Sequence, residues 1–124
     1  MKQVIATPEA FSAIGPYSQG ILVDGTLYVS GQLPIDPATG IMPEGVAAQT
    51  ARSLRNVIAI VEAAGMTAAD VVKTTVLIKS IDDFSQVNEV YATFFTGACP
   101  ARICYEVANL PRGALVEVEA VAMK

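Results

Sequence analysis

The chain has no histidine and no tryptophan, and only two of its 124 residues are cysteine. Without imidazole, and with Cys99 and Cys104 offering two soft ligands at most, the usual zinc sets cannot be assembled; no metal and no other cofactor is expected. Basic residues are also few. Eight Lys and Arg stand against twelve Asp and Glu, for a net charge of −4, and none of the basic residues cluster into a run. With a pI near 4.6, counterion release would add little affinity for nucleic acid, so no nucleic-acid partner is expected. The sequence also lacks the stretch of roughly 20 apolar residues that a membrane span needs. The segment behind Met1 and Lys2 has no apolar run of signal-peptide length. The chain therefore reads as cytoplasmic, with no membrane partner.

What the sequence does have is apolar surface. It is 52% hydrophobic and only 16% charged, with a mean hydropathy of +0.47. Residues 1–124 are the size of one domain able to bury its own core. A domain this small has too little interior for so many apolar groups, so part of that surface is expected to be covered by other subunits.

Residues 19–32 read as two short strands joined by Asp24-Gly25, a dipeptide suited to the positive φ of a tight hairpin turn. Pro34, Pro37, Gly40, Pro43 and Gly45 make residues 33–45 a loop. A helix follows, in which Val46, Leu54, Val57, Ile58 and Val61 recur at helical spacing. Gln49, Arg52, Arg55, Asn56 and Glu62 fall mostly on its other faces, and Gly65 stops it. Residues 71–79 read as a strand with Val72, Thr74, Val76 and Ile78 on one side. Asp82 or Asp83 caps a second helix carrying Phe84, Val87, Tyr91, Phe94 and Phe95 on one stripe. Residues 101–109 and 115–123 read as a closing hairpin folded at Leu110-Pro111-Arg112-Gly113-Ala114. The order strand, hairpin, helix, strand, helix, hairpin predicts an α+β domain, two β-β-α-β-like halves in one sheet with both helices on one face.

Alternation within the predicted closing hairpin assigns its faces. Ile103, Tyr105 and Val107 form an apolar row suited to the helices, which places Arg102, Cys104 and Glu106 on the opposite face. In the second strand Val116, Val118, Ala120 and Ala122 form the apolar row, leaving Glu117 and Glu119 opposite. Both strands are thus expected to send charge to the same non-helical side. Such a face is either solvated surface or a subunit interface. The high hydropathy favours an interface, in which Arg102 and Glu117 become partly buried charges of the kind found in functional clefts.

Four motifs in order resemble the Rid (YjgF-type) family across essentially the whole chain. They are Ala13-Ile14-Gly15-Pro16-Tyr17-Ser18-Gln19; Val29-Ser30-Gly31-Gln32-Leu33-Pro34; Val87-Asn88 with Tyr91 and Phe94-Phe95; and Pro100-Ala101-Arg102-Ile103-Cys104-Tyr105-Glu106-Val107, followed by Leu110-Pro111 and Val116-Glu117-Val118-Glu119-Ala120. Arg102 together with Glu117 resembles the imine-deaminating branch. The resemblance implies a chorismate-mutase-like fold assembled as a homotrimer, with one ligand pocket in each cleft between subunits. It implies substrates that are the imine and enamine forms of 2-aminoacrylate and 2-aminocrotonate, released by pyridoxal-phosphate dehydratases, and products that are 2-keto acids and ammonia. There is one departure: the link Thr96-Gly97-Ala98-Cys99-Pro100 is about three residues shorter than in relatives, a change that loops tolerate.

The chemistry fits the residue types. A guanidinium offers a rigid fork for the substrate carboxylate, the role expected of Arg102. A protonated imine carbon is already electrophilic, so water needs only positioning and modest acid–base help. Glu117 is expected to hold the water and shuttle its proton, with Cys104 holding it from the other side. The bland alternatives are an interface ion pair for Glu117 and a small buried hydrophobe for Cys104. By the resemblance Tyr17 and Ser30 line the pocket, Gly31 lets backbone approach the ligand, and Asn88 organises the site. Tyr17 reads equally as a packed aromatic and Asn88 as a helix-face amide. Two rival functions stand beside this one: binding of small keto or amino acids without turnover, for which Glu117 has no use, and a ribonuclease activity, which the acidic pI and missing histidine disfavour.

Overall fold

Asp24 and Gly25 take φ of 50° and 79°, the left-handed values that a two-residue hairpin turn requires. A Cβ on Gly25 would lie 2.8 Å from the Lys124 carbonyl oxygen, so the turn and the chain end are packed together. The computed structural model describes residues 1–124, and it resolves into β1 (Gln3–Ile5), β2 (Gly20–Val23), β3 (Thr26–Gln32), α1 (Val46–Ala63), β4 (Val71–Ile78), α2 (Phe84–Phe94), β5 (Ala101–Glu106) and β6 (Val116–Met123). It is an α+β architecture with one six-stranded sheet in the order β1-β2-β3-β6-β4-β5.

The predicted closing hairpin does not form. β5 pairs with β4 in parallel, and β6 inserts between β3 and β4, antiparallel to both. The 107–115 connection passes the end of β4, where the Val107 amide donates to the Ile78 carbonyl at 2.9 Å and the Lys79 amide to the Leu115 carbonyl at 3.0 Å. The reason lies in composition. Val116, Val118, Ala120 and Ala122 are almost fully buried, as a central strand needs, whereas a strand carrying Arg, Tyr and Glu suits an edge.

Strand neighbours in register share a face, which fixes the sidedness. Thr74 pairs with Arg102 and Ala120, and Val76 with Cys104 and Val118; these face the helices. Thr75 pairs with Ile103 and Glu119, and Leu77 with Tyr105 and Glu117; these face away. The expectation that β5 and β6 send their charges to the same side is therefore wrong for β5. Arg102, Cys104 and Glu106 are on the helix side, and the apolar pair Ile103 and Tyr105 is on the open face.

Both helices cover one side of the sheet. Leu54, Val57 and Ile60 from α1 and Val87 from α2 are fully buried against Leu27, Val76, Ile78, Val116 and Val118, each such side chain worth roughly 1.5–3 kcal/mol. Ile58 is only partly buried, and Ile60 takes the central place. Gln49 and Asn56, expected on polar faces, are buried because the 33–45 loop needs their amides. Asn56 donates to the carbonyls of Leu33 and Ile35 at 3.1 and 2.9 Å, and Gln49 donates to that of Pro43 at 2.9 Å while accepting from the Leu115 amide at 2.8 Å. In β4 a register shift between Val71 and Lys73 turns Val72 out and Val71 in. A short 3-10 turn, Ile81–Asp83, precedes α2, and its cap is the Ser80 hydroxyl, which accepts from the Asp82 amide at 3.3 Å; Asp83, at the N-cap position of α2, makes no side-chain cap.

Candidate active site

Gln19 is buried immediately before β2 and its amide ties down the preceding segment. Its Nε2 donates to the carbonyls of Thr7, Ala10 and Phe11 at 3.2, 3.3 and 2.9 Å, and its Oε1 accepts from the Thr7 amide at 2.7 Å. The segment so held carries Phe11, Ile14 and Tyr17 along one wall of a cleft of about 590 Å³. The end of β3 and the turn before β6 add Ser30, Gly31, Leu33, Pro111 and Arg112 to the lining, and β6 adds Glu117 and Glu119.

Gly31 is where backbone and carboxylate meet. A Cβ there would stand 2.8 Å from Oε2 of Glu117, closer than real Cβ contacts come, so a side chain at position 31 would displace the carboxylate. β3 departs from regular register between Val29 and Gln32, which frees Ser30 and Gly31 from the ladder, as bulges near functional sites do. The Ser30 hydroxyl donates to the Ser18 carbonyl at 2.5 Å and its amide to the Gln19 carbonyl at 2.9 Å, locking β3 to the Tyr17 segment. Burial, and after it the like charge of Glu119, push the Glu117 carboxyl above its ordinary range, because both disfavour the charged form.

A second group of residues lies across the sheet, at the β5 edge. Arg102 donates from Nη1 to Oδ1 of Asn88 at 2.7 Å. Its guanidinium carbon stands 4.9 Å from the Tyr91 ring centre and 5.6 Å from that of Phe84, contacts worth about 0.5–1 kcal/mol at exposed sites. Tyr91 in turn shares a 2.7 Å hydrogen bond with Thr74, and burial foremost raises its phenol pKa. Asn88, Tyr91, Phe95, Cys99, Pro100 and Arg102 line a hollow of about 360 Å³. The guanidinium is thus oriented in advance. Cys104 is on this side, half-buried against the core; burial raises its thiol pKa, and the nearby Arg102 lowers it by less.

The residues singled out in the sequence therefore fall into two sets: Tyr17, Ser30, Gly31 and Glu117 in the open-face cleft, and Asn88, Arg102 and Cys104 at the edge on the helix side. Within one chain the two sets do not converge, and Cys104 cannot share a water with the Glu117 of its own chain. The other residues lining the cleft, Phe11 and Arg112 among them, were not singled out from the sequence. Arg112 left a signal, since a residue between Pro111 and Gly113 is at a turn. It takes φ 58° and ψ 21°, a conformation costing a non-glycine residue roughly 1–2 kcal/mol, and its guanidinium carbon stands 5.4 Å from the centre of the Phe11 ring.

The open face around the cleft is apolar and uncovered. Tyr28, Ile103, Tyr105 and Met123 are 52%, 48%, 50% and 52% exposed, a concentration that monomers seldom leave to solvent.

Comparison with known proteins adds to this geometry. The family model described as endoribonuclease L-PSP matches residues 7–124. A relative from Rattus norvegicus named 2-iminobutanoate/2-iminopropanoate deaminase is 50% identical over all of this chain and 91% of its own length. The crystal structure of the YjgF gene product from Escherichia coli is similar with a TM-score of 0.96 and 49% identity, over 98% of both chains. The structure of E. coli TdcF with bound serine is similar with a TM-score of 0.96 and 43% identity, again over 98% of both.

Proposed function

The chain belongs to the Rid (YjgF-type) family, and from that premise we propose that it is an enzyme hydrolysing reactive 2-imino acids, and the enamines that tautomerise to them, to 2-keto acids and ammonia. The observation that carries the reading is the half-buried Glu117 carboxyl held against Gly31 in a cleft large enough for a small acid, in a chain half identical to relatives bearing the deaminase name. The reaction balances with water alone: R–C(=NH2+)–COO− and H2O give R–CO–COO− and NH4+. Glu117 takes a proton from the attacking water and passes it to the nitrogen of the tetrahedral adduct; the C–N bond then breaks as the adduct hydroxyl gives up its proton, which the departing ammonia takes up as NH4+. Arg102 receives the carboxylate through its fork. Tyr17, Ser30 and Gly31 shape the cleft, and Asn88 holds the guanidinium.

Arg102 and Glu117 face opposite sides of their own sheet, so the site we propose is shared between copies of the chain. Arg102, Asn88 and Cys104 of one copy meet Tyr17, Ser30, Gly31 and Glu117 of the next, in a homotrimer with three such clefts. The uncovered apolar face and the edge position of β5 support this assembly. In it Cys104 is kept as a candidate water contact supplied from the Arg102 side. The partners are small 2-imino and 2-keto acids and the other copies of the chain. No helix is long and apolar enough to cross a membrane, and we assign the enzyme to the cytoplasm. Although the family description names an endoribonuclease, we follow the relatives' deaminase name, because an excess of acid over base and the lack of histidine suit RNA poorly.

Binding without turnover is the second reading, favoured by the relative solved with serine bound. The test is a coupled assay in which a dehydratase releases 2-aminoacrylate or 2-aminocrotonate and keto-acid formation is followed. Faster formation with the wild-type protein supports the enzyme; an unchanged rate alongside measurable keto-acid binding supports the binder.

A further inference from the structure

The deaminase reading accounts for Glu117 but leaves one cleft group without a task. Arg112 is the sole cation among the residues lining the cleft, and both carboxylates there, Glu117 and Glu119, are of opposite sign to it. The group beside it is a ring, not a carboxylate: its guanidinium carbon stands 5.4 Å from the centre of the Phe11 ring, a contact that leaves its N–H donors available. The backbone beneath is left-handed at Arg112 and again at Gly113, with φ of 58° and 69°. A non-glycine residue kept in that region is a frequent mark of ligand contacts. The cleft, at about 590 Å³, falls in the range of roughly 300–1,000 Å³ that holds drug-sized ligands, far more than a four-carbon imino acid fills.

We propose that Arg112 is a specificity-determining residue that receives the side-chain carboxylate of dicarboxylic 2-imino acids, the imines of aspartate- and glutamate-type amino acids. The inference rests on the deaminase reading. The 2-carboxylate of any such substrate is met by Arg102, so a second carboxylate entering the cleft encounters Glu117 and Glu119 unless a second cation receives it. Arg112 stands on the same lining as those two acids, and the apolar groups Phe11, Leu33 and Pro111 accommodate the methylene chain between the carboxylates. A monocarboxylic substrate presents nothing to Arg112.

The test compares two imines generated in place, 2-iminobutanoate from a threonine dehydratase and 2-iminoglutarate from a glutamate oxidase, with the wild type, Arg112→Gln and Arg112→Lys. The quantity read is the ratio of kcat/KM for the dicarboxylic imine over the monocarboxylic one. Loss of a fork built for a substrate group is expected to lower that ratio on the order of tenfold in Arg112→Gln, with Arg112→Lys in between because it keeps charge without the fork. An unchanged ratio, an equal fall for both substrates, or a wild type that does not accelerate loss of the dicarboxylic imine would overturn the assignment. Failure of the wild type on 2-iminobutanoate would overturn the deaminase reading itself, and this inference with it.

Discussion

Arg102 and Glu117 stand on opposite faces of the same sheet: Arg102 pairs in register with Thr74 and turns toward α2, while Glu117 pairs with Leu77 and turns to the open face. The proposed site gives them different tasks, and substitution should separate them. Arg102→Lys keeps a charge but loses the planar fork and the stack on Tyr91, so turnover should collapse and binding of a keto-acid analogue should weaken. Glu117→Gln keeps shape but removes the base. Turnover should fall on the order of 10²-fold or more, while analogue binding holds or improves because a negative charge near an anion is gone. Near-full activity of a properly assembled Glu117→Gln protein, in steady-state kinetics beside calorimetric titration, would make Glu117 an interface residue only.

The pH profile offers a check that leaves the catalytic groups in place. Glu117 lies above the ordinary carboxylate range through burial first and the neighbouring Glu119 second. A base must be ionised to work, so kcat/KM should decline on the acid side as Glu117 is protonated. Glu119→Gln removes the like charge, lowers the pKa of Glu117 and should move that acid limb to lower pH. A limb that stays in place would show that Glu117 does not set it.

The two thiols should differ in reactivity. Cys104 is half-buried and burial raises its pKa, whereas Cys99 is exposed. Because thiolate is the reacting form, iodoacetamide at neutral pH should label Cys99 first, as read by peptide mass spectrometry over time. Earlier labelling of Cys104 would point to an activated thiolate and strengthen its case as a participant in the chemistry.

Much of this was readable from local pattern. Asp24-Gly25 announced the first hairpin, the glycines at 45 and 65 bracket α1, and alternation in β6 put Glu117 on the face away from the helices. The same alternation failed in β5. Its two rows, Arg102-Cys104-Glu106 and Ile103-Tyr105, are both part apolar, and at a sheet edge the usual reading inverts: Arg102 gains Asn88 and two rings on the helix side, while Ile103 and Tyr105 join an apolar open face. Nor does local sequence reveal that β6 crosses to the middle of the sheet, since the 107–115 segment has the same turn chemistry for a hairpin or a crossover. Gln19, Gln49 and Asn56 look like surface amides until the loop carbonyls they satisfy are seen, and those lie 6 to 23 residues away in sequence. Arg112 was hidden for a similar reason, because its partner Phe11 lies at the other end of the chain.

The most direct measurement mixes two inactive proteins. If each site takes Arg102 from one copy and Glu117 from another, co-refolding Arg102→Lys with Glu117→Gln in equal amounts should rebuild wild-type sites, in roughly a quarter of the clefts for random trimers. Keto-acid formation in the coupled assay should then rise to about that fraction of wild-type activity, from parents that are each nearly inactive. A mixture that assembles into hybrid trimers, verified by native mass spectrometry, yet shows no more activity than its parents would contradict a catalytic site shared between subunits.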